Sequence, residues 1–124
     1  MELNFTIEGE LITLNEYTKL SRGKSWYKSS NSKKNNTEIC EDAIKQQIKG
    51  EHIGYCDVYI KWIAENRKID HDNIAFGIKF ILDALVNQGV IDGDGWKNIG
   101  EIHHSFDVDK IRPRIEVKLI EPNS

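Results

Sequence analysis

The sequence predicts a small α+β domain built on a mixed sheet of about four strands with two helices. Its 124 residues, 39% of them hydrophobic, suffice for one core and are too few for two domains. Apolar and polar residues alternate, as in half-buried strands, at 3–7, 55–63, 98–106 and 111–120. A helical period recurs at 37–49 and 74–88. We therefore expect residues 1–124 to form a single domain of mixed α/β composition.

The N-terminal half is predicted to contain one strand and one helix. Leu3, Phe5 and Ile7 alternate with polar residues and indicate the first strand, which we extend over residues 10–14. The helix begins with a polar cap among residues 35–37. We expect it to end near Lys49, because the next residue is Gly50 and glycine readily adopts the left-handed conformation that follows a helix.

The C-terminal half is predicted to contain three strands and one helix. Residues 55–63 alternate most cleanly and indicate a half-buried strand. The second helix runs from Ile74 to about Gln88, and Gly89 ends it. Residues 98–106 and 111–120 are expected to pair as a hairpin joined near residues 107–110.

Charge is distributed unevenly along the chain. The formal net charge is −3, yet the segment from Tyr17 to Thr37 has no acid and six basic residues, which leaves −9 for the other 103 residues. Because the segment is rich in serine and asparagine, we expect a mobile surface loop at about 17–37. One interpretation is a solvated loop with incidental lysines. The other is a nucleic-acid contact, since cations neutralise phosphates and flat rings such as Trp26 and Tyr27 stack on bases. The six basic residues are Lys19, Arg22, Lys24, Lys28, Lys33 and Lys34.

Several classes of protein are excluded by what the sequence lacks. No apolar run approaches the roughly 20 residues of a membrane span, and no apolar signal segment follows Met1, so we expect a cytoplasmic protein without a membrane partner. The sequence contains no glycine-rich phosphate loop and no nucleophile elbow, so we expect neither an organic cofactor nor covalent catalysis. Cys40 and Cys56 lack metal-site spacing and are predicted to be reduced core residues.

Acidic residues flank the second predicted helix. Asp70 and Asp72 precede it at a spacing that, in extended chain, points both carboxylates to one side. Such a pair is tolerable where a cation offsets the repulsion, although either residue has the alternative role of a helix cap. Asp92 and Asp94 follow the helix and join the first pair only if the chain folds back over the sheet. If the carboxylates converge, hard oxygen ligands predict Mg²⁺ or Mn²⁺ rather than zinc, and phosphodiester hydrolysis as the chemistry.

Two further polar sites have open interpretations. Lys79 lies two helical turns after Asp72, where its ammonium either approaches the carboxylates and a phosphate or pairs with Asp83 on the surface. His103 and His104 occupy a predicted strand, so their rings face opposite sides and are expected to be structural.

Three stretches in this order resemble the RusA family of Holliday junction resolvases. They are the basic residues and acids of 67–73, the helix that carries Lys79 and Leu82-Asp83-Ala84-Leu85, and the glycine and acidic turn of 88–96. The resemblance extends to residues 14–17 and the basic segment that follows them. It implies a RusA-like fold and a homodimeric, Mg²⁺-dependent endodeoxyribonuclease. The family's activity is to resolve four-way DNA junctions by paired symmetric nicks in recombination and repair.

The resemblance also implies roles for individual residues. The family's catalytic, metal-binding acids correspond to Asp70, Asp72 and Asp94, and its essential lysine to Lys79, here two turns rather than one after the acids. DNA contacts are implied for Asn15, Arg67, Lys68 and the six basic residues of the 17–37 segment. Two alternatives remain open from the sequence, namely a metal-dependent nuclease for other branched DNA such as flaps and forks, and a non-catalytic DNA-binding module of the same fold.

Overall fold

The computed structural model describes residues 1–22 and 26–122, with only the backbone described at 21 and 26–33. It confirms a small α+β domain on a four-stranded mixed sheet. The described helices include none with the length and apolar character needed to cross a bilayer. In chain order the elements are β1 (Glu2–Glu8), α1 (Leu14–Ser21), α2 (Trp26–Gln47), β2 (Cys56–Ala64), α3 (His71–Ala75), α4 (Ile78–Asn87), β3 (Ile99–Val108) and β4 (Arg114–Ile120).

The sheet has the strand order β1-β4-β2-β3. β4 pairs antiparallel with both β1 and β2, whereas β3 pairs parallel with β2. The apolar face of the sheet packs against α2 and α4, and this layer is the core. Its fully buried side chains include Ile7, Ile44, Val58, Ile60, Trp62, Phe80, Ile81, Leu85 and Leu119.

The predicted hairpin of β3 and β4 is wrong, although both strands exist. β2 lies between them in the sheet. Its apolar residues are buried, including Ile63 on the face away from the helices, and a strand buried in this way needs a neighbouring strand on each edge. The connection therefore crosses the end of β2. Asp109 shapes it, since its carboxylate accepts hydrogen bonds from the backbone N–H groups of Ile111 and Arg112 at 3.0 Å each and from the Arg114 guanidinium at 3.0 Å.

The mobile loop expected at 17–37 is also wrong in the described part of that segment, which is helical on both sides of residues 23–25. α1 begins at a capping box in which Thr13 accepts from the Glu16 N–H and Glu16 accepts from the Thr13 N–H. α2 begins at Trp26, well before the predicted caps at 35–37, and Asn36 is buried instead and accepts from the Ile12 N–H at 3.0 Å. The predicted strand extension at 10–14 is wrong, because residues 10–13 are irregular and Leu14 begins α1.

The predicted helix at 74–88 is divided into α3 and α4 by Phe76 and Gly77. Gly77 is buried where the backbone meets Trp62, and a β-carbon there would lie 3.1 Å from two ring atoms of Trp62 and from Leu11 Cδ1. The close packing of this backbone on the indole therefore leaves little room for a larger residue.

We expect Gly77→Ala to lower the free energy of unfolding by about 1–2 kcal/mol, because the added methyl group overpacks the Trp62 ring. Urea unfolding measures the change. Gly54→Ala is the matched control, since nothing lies within 4 Å of a β-carbon at Gly54. A Gly77→Ala protein as stable as the control would contradict the proposed packing constraint.

Candidate functional site

Asp70 and Asp72 lie at the start of α3, and both side chains are exposed. Asp70 is the N-cap residue, yet its carboxylate makes no capping hydrogen bond, and only its carbonyl accepts from the Ile74 N–H at 3.2 Å. No ion pair within residues 1–22 and 26–122 involves either acid. Asp72 lies inside the helix, so the extended spacing predicted for the pair is wrong, although both acids are at the same helix terminus.

The first part of the basic segment is fixed beside these acids. Asn73 accepts a hydrogen bond from the backbone N–H of Asn15 at 3.1 Å, which joins the first turns of α1 and α3. The rings of Tyr17 and Phe76 pack at 5.3 Å between the same helices. α1 therefore places the exposed Lys19, and Arg22 at its C-cap, on the segment next to α3.

The remaining predicted DNA-binding residues divide into two groups. Arg67 and Lys68 are exposed in the turn that leads from β2 to Asp70, and Lys34 is exposed on α2. Lys24 lies outside the described residues, as do the side chains of Lys28 and Lys33.

Asp94 does not join Asp70 and Asp72 within one chain. It lines a cleft of about 500 Å³ between α2 and the C-terminal part of α4, together with Lys34 and Glu41. The ten-residue helix α4, about 15 Å long, thus separates it from α3. In the part of the chain that the structure describes, no three His, Cys, Asp or Glu residues are grouped to hold a metal ion.

Asp92 and Lys79 have different surroundings from those considered in the sequence. The Asp92 carboxylate is hydrogen-bonded to His52, with 3.0 Å between the carboxylate oxygen and Nε2. Lys79 is exposed in the first turn of α4, beyond the break at Gly77. The ion pairs of the described residues include none between Lys79 and Asp83.

A row of aromatic rings that sequence reasoning missed connects β3 to the acids. His71, between the two acids, stacks on Phe106 with ring centroids 3.9 Å apart and planes inclined by 3°. His104 lies 6.4 Å from Phe106 and 6.1 Å from Trp62, whose Nε1–H donates to His104 Nδ1 at 2.9 Å. The alternation of β3 placed these residues on one face, but only the parallel register brings them to Trp62 and His71.

The prediction that the rings of the two neighbouring histidines face opposite sides is confirmed, because His103 contacts Tyr59 whereas His104 contacts Trp62. His103 stacks on Tyr59 with centroids 4.5 Å apart and contacts Glu101 at 2.8 Å. The cysteine prediction is also confirmed, because Cys40 and Cys56 are buried free thiols. Burial raises the pKa of Cys40 to about 12 and that of Cys56 to about 11, which keeps both thiols protonated and unreactive.

Trp96 is a second residue whose role the sequence did not indicate. Its side chain is 97% exposed two residues after Asp94. An indole in this position is available to stack on an unpaired base.

No protein-family model matches this chain, and no curated protein sequence matches it either.

Partial burial lowers the pKa of His104 below its ordinary value, so its neutral form is favoured as the acceptor for Trp62. The unfolded chain then binds a proton more readily than the folded one, and stability falls as the pH decreases through about 6.5. We expect the loss between pH 7.5 and pH 5.5 to be smaller in His104→Gln, whose amide oxygen accepts without titrating. Urea unfolding at both pH values measures this, and an equal loss in the two proteins would contradict it.

Proposed function

We propose that this protein is a Mg²⁺-dependent endonuclease that cuts branched DNA, with the four-way junction as its substrate. The observation that carries the proposal is the pair Asp70 and Asp72, two exposed carboxylates on one helix terminus that no cap or described ion pair occupies. Mg²⁺ typically binds one or two carboxylates and completes its coordination with water and substrate phosphates. The donor set of these two acids therefore fits Mg²⁺ in kind and number.

Bound there, Mg²⁺ would supply positive charge that offsets the repulsion between the carboxylates and a DNA phosphate. Asp70 and Asp72 hold the ion at the start of α3, where the open cap leaves their oxygens free. We assign Lys79, exposed on the next helical segment, to the negative charge that develops on the phosphate.

DNA contacts are assigned to the basic residues on both sides of the acids. Lys19 and Arg22 on α1 lie to one side, and Arg67 and Lys68 lie in the turn that precedes Asp70. The hydrogen bond between Asn15 and Asn73 fixes the first group relative to the acids. Charges on a fixed helix favour a DNA of defined shape, which suits a branched substrate.

The third acid requires a second copy of the chain. Asp94 is at the far end of α4 from Asp70 and Asp72, so one chain does not supply all three acids to one ion. In the homodimer that the resemblance implies, Asp94 of one copy can complete the pair of the other. A dimer also has two sites for two symmetric nicks.

We expect Asp70→Asn and Asp72→Asn each to lower the rate of junction cleavage by roughly a hundredfold or more, since a lost metal ligand removes several kcal/mol of charge stabilisation. Binding of the junction should remain, because the basic residues are unchanged. Gel assays with labelled DNA in Mg²⁺ and in EDTA measure both quantities.

The control for these variants is Asp42→Asn, which changes an exposed acid on α2 and should cleave at the wild-type rate. Four-way, flap and linear duplex DNA are compared in the same assay. Faster cutting of flaps would identify the alternative nuclease, binding without Mg²⁺-dependent cutting would identify a non-catalytic module, and normal cleavage by Asp70→Asn would refute the metal site.

We expect Lys19→Ala combined with Arg22→Ala to weaken junction binding and to reduce the salt slope of log K by about 2, because about 0.9 is lost for each released phosphate contact. Titrations at several salt concentrations measure the slope. Lys118→Ala on the helix-free face of the sheet is the control. An unchanged slope in the double variant would show that Lys19 and Arg22 do not contact the DNA.

A further inference from the structure

β3 is an edge strand, and the outer backbone groups of Ile102, His104 and Phe106 have no partner in the described chain, whereas the Val108 N–H donates to the Asp107 carboxylate at 2.7 Å. The parallel ladder with β2 uses alternate residues, and it continues through the hydrogen bond from the Asp109 N–H to the Ala64 carbonyl at 2.9 Å. The residues between them, Ile102, His104 and Phe106, therefore direct their N–H and C=O groups away from the sheet. No described residue bonds to these groups. An edge of this length is a template for another strand.

The other edge of the sheet is blocked at Thr6. The side-chain amide of Gln47 lies along β1, accepting from the Thr6 N–H at 2.8 Å and donating to the Thr6 carbonyl at 2.7 Å. The helix-facing residues Leu3, Phe5 and Ile7 of β1 are 7%, 3% and 1% exposed. On β3 the corresponding face leaves Ile102 43% and Val108 37% exposed.

We propose that β3 is the surface through which two copies of this chain associate, by antiparallel pairing of the two β3 strands about a two-fold axis at Ser105. The inference rests on the proposed function only for the expectation of two copies. The surface itself follows from the open edge, and no nuclease chemistry enters its argument.

Complementarity of β3 with itself selects this register. With the axis at Ser105, Ile102 lies opposite the partner's Val108, and His104 lies opposite the partner's Phe106. On the other face His103 lies opposite the partner's Asp107, which is an attractive pair. The outward N–H and C=O groups of His104 and the partner's Phe106 then meet as a hydrogen-bonded pair, and the Val108 carbonyl accepts from the partner's Ile102 N–H, while the Val108 N–H keeps its bond to Asp107. With the axis at His104 instead, Glu101 would oppose the partner's Asp107, and like charges directly opposite are destabilising.

Antiparallel pairing also agrees with the arrangement required for the three acids. β2 and β3 run parallel, so Asp70, which follows β2, is at the end of the sheet where β3 finishes. The partner's β3 begins at that end, and the turn with Asp94 precedes β3. The partner's Asp94 is thereby brought to the end of the sheet that carries Asp70.

Charge exchange across the interface tests both the surface and the register. We expect sedimentation equilibrium of the full chain, without DNA or metal, to give twice the chain mass of 14.3 kDa. Ile102→Lys with Val108→Lys should weaken the dimer about a hundredfold, since two apolar pairs become two like-charge pairs at roughly tenfold each. Ile102→Lys with Val108→Glu should restore the dimer, because each lysine then faces a glutamate.

Ile39→Lys on α2 is the matched control, because Ile39 is 45% exposed and lies outside the interface, so it should dimerise normally. Circular dichroism verifies that each variant is folded. A monomeric wild-type chain at about 100 µM, far above the Kd of a stable dimer, would overturn the proposal. So would a dimer that persists with two lysines, or a Lys/Glu variant as weak as the Lys/Lys variant. Because these measurements use no DNA, a dimer without nuclease activity would reject the proposed function and not the interface.

Discussion

The indole of Trp62 is the contact on which the arrangement of the candidate site depends. Its ring lies against the backbone at Gly77, which divides α3 from α4. Its Nε1–H bonds to His104 on β3, and Phe106 on the same strand stacks on His71 between the two acids. The position of Asp70 and Asp72 relative to the sheet is therefore set from within the core. The acids are on the surface, but they are not on an independently mobile loop.

Periodicity predicted the fold class well because it records which face of an element is buried. β2, the core stripe of α4 and the four strands of the sheet all follow from apolar spacing. Periodicity does not record which strands are neighbours. The pairing of β3 depends on the full burial of β2 and on the turn around Asp109, neither of which is a local pattern. The tight packing at Gly77 was hidden for the same reason, since Trp62, the residue it meets, is distant in sequence.

Composition was misleading in the basic segment. Serine, asparagine and lysine are common in loops, but α1 and α2 are held there by contacts with other segments, such as the bond from the Ile12 N–H to Asn36. In the candidate site, the acids and the adjoining cations that the sequence singled out are exposed, and their roles stay predictions. It did not indicate that Asp94 and Asp70 are at opposite ends of α4, because a spacing along the chain contains no information about whether the ends of a helix are brought together. The row of aromatic rings on β3 could not be predicted either, because it depends on the register in which β3 pairs with β2.

The side-chain amide of Gln47 has a consequence for how the sheet could extend. A domain with two open edges can add copies at both ends, and repeated addition then produces a fibre. Gln47 occupies the N–H and C=O of Thr6, so strand addition along β1 would have to displace it. In the proposed β3 dimer, the one contact uses the β3 edge of both copies and joins eight strands, and the glutamine obstructs a further copy at the outer edge.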